Sequence, residues 1–121
     1  MPKILIIDDD VTVTELMKAL VKMEGHEPTT VNDSLKAVET AKSVNPDLIT
    51  LDLMMPGLTG FEVCKLLSED PDFSNTPIII VSAKDDPESK QQALESGARD
   101  YITKPFGVED FIGKINSLVN S

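Results

Sequence analysis

Three carboxylates in a row, Asp8, Asp9 and Asp10, follow directly on the aliphatic segment KILII. Like charges this close repel one another, so their grouping calls for something positive among them. A second aliphatic run, DLITL at residues 47–51, also ends in an acid, Asp52. A third, PIIIVS at residues 77–82, ends in the hydroxyl of Ser82, and Lys104 follows the short run DYIT. Oxygen donors with no histidine or cysteine nearby suit a hard cation, and Mg²⁺ fits a site that leaves positions to water or phosphate. An ammonium and a hydroxyl beside such a cation would stabilise charge on a phosphoryl group. Asp52 is then placed as the nucleophile, accepting phosphate as a mixed anhydride.

The hydrophobic periodicity predicts the elements that must carry these groups. Lys3–Ile7 reads as a buried strand and residues 11–24 as a helix with Val13, Leu16, Met17, Leu20, Val21 and Met23 on its apolar side. Asp10 reads as the cap of that helix, and Gly25 is placed to end it in a left-handed conformation. Glu27–Val31 is a weaker strand. Ser34 is the expected cap of a second helix over 35–44, which Asn45-Pro46 terminates. A strand over 47–51, a glycine- and proline-containing loop and a helix over 61–68 follow. Residues 77–82 carry a β-branched run, apolar on both faces, that predicts a central strand. Asp86-Pro87 opens a helix that Gly97 closes, Asp100–Thr103 is a fifth strand and Val108–Val119 a last helix.

Five strands alternating with five helices predict an α/β fold, a doubly wound five-stranded parallel sheet of (βα)5 topology. In such sheets the functional crevice lies at the carboxyl ends of the strands, near a topological switch point. Asp8, Asp9, Asp52, Ser82 and Lys104 all fall at that edge.

Length and composition bound the possibilities. At 121 residues and 40% hydrophobic content the chain is expected to be one domain, 1–121, able to bury an ordinary core. No apolar run approaches the ~20 residues that cross a bilayer, and no signal-peptide pattern opens the chain. The single cysteine, Cys64, can form no internal disulfide and is expected in the core. A cytoplasmic protein without a membrane partner is the expectation. A net charge of −10 argues against direct nucleic-acid binding and suits cations or basic protein surfaces.

Four segments in order, IIDDD, DLMMPGLTG, VSAK and YITKPF, resemble the receiver domain of two-component response regulators. The likeness extends over essentially the whole chain, with 30 residues from Asp52 to Ser82 and 22 from Ser82 to Lys104. The resemblance implies a flavodoxin-like (CheY-like) fold and a regulatory phosphoacceptor rather than a turnover enzyme. Such a domain assists its own phosphorylation and dephosphorylation. It implies that Asp52 takes phosphate from a sensor histidine kinase or a histidine phosphotransfer protein. By the same carry-over Asp8 and Asp9 are the metal-binding acids, with Asp9, Asp52 and the Met54 backbone carbonyl as ligands of Mg²⁺. Ser82 becomes the switch hydroxyl, Lys104 the phosphate-binding lysine ahead of a cis peptide to Pro105, and Tyr101 the aromatic that moves with Ser82. Met54 and Lys84 occupy positions expected to tune water access. The output would pass to a downstream protein or a fused effector absent from this chain, from a monomer or a phosphorylation-promoted homodimer. No effector follows Ser121, which leaves a stand-alone receiver or one excised from a longer regulator.

Other readings compete. DDDVT fits the D-x-D-x-T pattern of haloacid-dehalogenase-type phosphatases, with Asp8 as nucleophile and Asp10 as acid; 121 residues leave no cap domain and Asp52 no role. A scaffold whose acids bind Mg²⁺ without phosphate is another, and a flavin site finds little to stack on, with one tyrosine and no tryptophan. For Tyr101 a plain packing role is the rival. His26, just after a helix-ending glycine, is expected at the surface.

Overall fold

Residues 4–7 are buried on both sides because helices cover both faces of the sheet they belong to. The computed structural model describes residues 1–119; the last two residues of the expected domain lie outside the described residues. The elements run β1 (Lys3–Ile7), α1 (Val11–Met23), β2 (Glu27–Val31), α2 (Ala37–Val44), β3 (Leu48–Leu51), α3 (Gly60–Glu69), β4 (Ile78–Ser82), α4 (Pro87–Glu95), β5 (Asp100–Thr103) and α5 (Val108–Val119). All strands are parallel, in the order β2-β1-β3-β4-β5.

Alternate strand residues feed two apolar layers. Leu5, Ile7, Ile49, Leu51, Ile78 and Ile80 pack with Val63, Cys64 and Leu67 of α3. Ile4, Ile6, Leu48, Ile79 and Val81 pack instead with Met17, Leu20 and Val21 of α1 and with Phe111 and Ile115 of α5. Each such side chain contributes roughly 1.5–3 kcal/mol on burial. The helix starts are local chemistry. Asp10 Oδ1 accepts from the Thr12 and Val13 amides, Asp86 caps α4 with Pro87 in its first turn, and Thr59 with Glu62 forms a capping box on α3.

Three expectations are corrected. Leu16 and Met23 do not face the core: they are 50% and 78% exposed, and Leu16 instead walls a groove with Val13, Ala83, Pro105 and Phe106. Ser34 does not cap the second helix. A 3₁₀ turn at Ser34–Lys36, capped by the Asp33 carboxylate accepting from Leu35 N–H, leads into α2, which starts from Lys36 with no side-chain cap of its own. The Ser34 hydroxyl is committed elsewhere: it donates to the Pro56 carbonyl at 2.7 Å and accepts from Leu58 N–H at 3.0 Å. His26 is buried rather than exposed, and its Nε2 lies 2.7 Å from Asn116 Oδ1 on α5. Asn116 Nδ2 donates to Glu24, which leaves its Oδ1 to accept from the ring N–H. That partner is 90 residues away, beyond any local pattern.

Candidate functional site

Register brings the acids together. Ile7 pairs with Leu51, so the next residues on the neighbouring strands are Asp8 and Asp52. The backbone continues the pairing one step further, with Asp52 N–H donating to the Ile7 carbonyl at 3.0 Å. Here the chain order reverses: β2 lies on one side of β1 and β3 on the other, so the loops leaving β1 and β3 part and open a crevice. Ser82 pairs with Thr103, and Lys104 N–H donates to the Ser82 carbonyl at 2.8 Å. Lys104 thereby starts the β5–α5 connection beside the acids.

The side chains converge as expected from their strand-end positions. Carboxylate oxygens of Asp8, Asp9 and Asp52 all lie within 4.8 Å of one another. Asp8 and Asp52 are buried and Asp9 is exposed. Lys104 Nζ sits 2.6 Å from Asp8 Oδ2 and 3.6 Å from Asp52 Oδ2, one cation between two acids. Asp8 Oδ1 accepts from Asp10 N–H at 2.9 Å. The Met54 amide faces Asp52 Oδ1 at 3.4 Å. Burial, reinforced by the Asp8 charge, holds the Asp52 carboxyl above its ordinary range, against the pull of Lys104 and the Met54 and Leu53 amides. An all-oxygen donor set at this spacing fits a hard divalent cation.

At the far side of the crevice Ser82 is fully buried, and its Oγ accepts from Lys84 N–H at 3.2 Å. Tyr101 is half-buried, and its hydroxyl donates to the Lys84 carbonyl. Desolvation raises the Tyr101 phenol above its usual value; the nearby Ser82 side chain opposes this, while Asp86, Asp52 and Asp85 add to it. The Lys104–Pro105 peptide is cis, as expected.

Sequence reasoning did not anticipate how three residues hold the site in shape. Asn32 Nδ2 donates to the Asp8 carbonyl at 2.9 Å and to Thr14 Oγ1 at 3.0 Å, tying the β2 end to the acid loop. Ser34 grips the β3–α3 loop through Pro56 and Leu58. A Cβ on Gly60 would lie 2.1 Å from the Asp52 carbonyl oxygen, so only glycine lets α3 start against the residue that follows β3. A small residue just before the α3 pattern was the available signal. The phosphatase reading loses its acid here, since Asp10 is engaged as the α1 cap and Asp8 as the partner of Lys104.

Strand order and an acid cluster at the switch point define the class: a CheY-like α/β regulatory fold with a cation-compatible edge. Residues 4–116 match the response regulator receiver domain, and the chain belongs to that family, the phosphorylation-operated switches of two-component systems. It is 39% identical over 119 residues to the DNA-binding dual master transcriptional regulator RpaA of a Synechocystis species, covering 98% of this chain and 49% of that protein. It is 35% identical to protein PilH of Pseudomonas aeruginosa, covering 98% of both. The chain spans about half the length of several of the curated relatives it matches, RpaA and the mycobacterial MtrA regulators among them. Among solved structures, the receiver domain of Francisella response regulator 1452 superposes with a TM-score of 0.91 at 37% identity, over 99% of this chain and 98% of that one. Vibrio cholerae CheY4 gives 0.92 at 29% identity, over 98% of both. Among the described residues no helix is long and apolar enough to cross a membrane.

Proposed function

We propose that Asp52 is the phosphoacceptor of this receiver, working in a single domain over 1–121. The observation that carries it is the buried Asp52 carboxylate set among Asp8, Asp9 and the Lys104 ammonium at the sheet's carboxyl edge. Asp52 attacks the phosphorus of a donor phosphohistidine on a sensor kinase or phosphotransfer protein. The P–O bond forms as the P–N bond breaks, and the departing imidazole nitrogen takes up a proton. Asp8, Asp9, Asp52 and the Met54 carbonyl are the residues that would hold Mg²⁺. When bound, Mg²⁺ supplies positive charge against the phosphoryl oxygens. Lys104 changes partner in the process: its ammonium, now between Asp8 and Asp52, pairs with the incoming phosphoryl group. Ser82 offers its hydroxyl to the same group. In this sense the domain assists its own phosphorylation and hydrolysis.

Once phosphate draws Ser82 inward, Tyr101 has room to turn, and the pair forms a two-state element biased by the modification. The net charge of −10 supports a domain that meets basic protein surfaces and leaves any DNA contact to other parts of a longer regulator. Intact-mass spectra after acetyl phosphate and Mg²⁺ test the assignment. Wild type should gain one phosphate and Asp52→Asn none. Labelling that survives Asp52→Asn but is lost in Asp8→Asn would move the nucleophile to Asp8.

A further inference from the structure

The α4 helix has a thin apolar anchor. Of its nine residues, Ser89 and Ala93 are the buried ones, and Leu94 is 54% exposed. Lys90, one residue beyond Ser89, places its Nζ over the Tyr101 ring, 5.8 Å from the centroid. The same ring packs against the core cluster that contains Ala93 and Ala98, and its hydroxyl reaches the Lys84 carbonyl just ahead of α4. Tyr101 is therefore pinned from three directions, two of them through α4 or the loop that leads into it.

We propose that Lys90 is a positioning residue of the switch: its ammonium holds the Tyr101 ring against the Lys84 carbonyl and couples ring position to the docking of α4. The proposal rests on Tyr101 being the moving aromatic. The physical basis is the attraction of a cation to the negative face of the phenol ring, which works within about 6 Å of the centroid. A methylene stem alone would pack on the ring without that attraction, so charge is the property that matters. When Tyr101 turns, the contact breaks, and α4 loses a side-chain link it has little apolar surface to replace. Neutralising Lys90, by substitution or by acetylation, would thus act on the same two-state element as phosphate on Asp52.

The chain has one tyrosine and no tryptophan, so intrinsic fluorescence reports Tyr101 alone. Acrylamide quenching would be measured on unphosphorylated wild type, Lys90→Met and Lys90→Arg. Wild type would also be measured with acetyl phosphate and Mg²⁺. Lys90→Met should shift the ring equilibrium about two- to fivefold toward the turned position, changing quenching in the same direction as phosphorylation does in wild type and speeding amide exchange in α4. Lys90→Arg, which keeps the cation, should restore the wild-type values. Wild-type quenching in Lys90→Met, or no restoration by arginine, overturns the proposal. If phosphorylation moves Tyr101 in wild type but Lys90→Met does not, the Lys90 role alone falls. If Lys90→Met changes quenching while phosphorylation leaves Tyr101 unmoved, the switch reading falls and takes the Lys90 role with it.

Discussion

Helix α5 buries Phe111 and Ile115 against Ile102 of β5, and Phe106 stacks on Phe111 with ring centroids 4.8 Å apart. On the other face of the sheet α4 buries Ser89 and Ala93. One helix is fixed by large side chains in a close-packed layer; the other is held by a cap, a small-residue contact and a cation over a ring. The charged crevice lies at the same sheet edge as the start of α4, where Ser82 meets Lys84. A regulatory domain needs that asymmetry, because a charge placed at the edge can shift only an element whose alternative position costs little.

The sharpest test of the comparison is to weaken each helix at its anchor. Phe111→Ala should lower unfolding free energy by about 3–5 kcal/mol, and Ala93→Gly by about 1 kcal/mol. Urea unfolding gives both values. Equal losses would mean that α4 is as firmly built in as α5.

Next in size is the pairing that calms the edge. Lys104 neutralises Asp8, whose side chain is 3% exposed, so Lys104→Met leaves a buried charge uncompensated. Unfolding free energy without metal should fall by roughly 2–4 kcal/mol, the lower end reflecting solvent at the crevice mouth. Thermal melts in chelator check this. Added Mg²⁺ should recover part of the loss if the three acids form a cation site, and none if they do not.

The smallest effect is a pH dependence. Asp52 has its folded-state pKa raised above the ordinary value of 3.8, first by burial and then by Asp8. Relative to an ionised carboxylate in the unfolded chain, the protonated form is favoured on folding. Its contribution is fully present below the unfolded pKa and is lost as pH rises through the folded one. In chelator, the stability of wild type relative to Asp52→Asn should therefore decline as pH rises from about 4. A flat difference across that range would mean that Asp52 sits in a solvated, unstrained place, and the edge would be less distinct from the rest of the surface than its geometry indicates.

Much of the edge was legible before any coordinates. Aliphatic runs that end in Asp8, Asp52 and Ser82 are a one-dimensional pattern, because a strand buried on both faces must be apolar until it leaves the sheet. Caps such as Asp10 and Asp86 were equally local, since a cap is a hydrogen bond to amides two or three residues on. The asymmetry between α4 and α5 was half visible: VEDFIGKINSLV carries an apolar stripe and PESKQQALE does not.

The amino-acid order by itself determined the five strands, the helix starts at Asp10 and Asp86 and the sheet edge on which the reactive groups lie. Those features depend on hydrophobic period and on contacts a few residues long, so each is set within one segment. Tertiary structure alone decided which distant groups meet. His26 turned inward to Asn116, Ser34 was drawn to Pro56 and Leu58, Leu16 was left on a groove wall, and Lys90 came to rest over Tyr101. Each depends on where a second segment is packed, and a side chain's partner across the fold follows from the three-dimensional register of strands and helices, which no local period encodes.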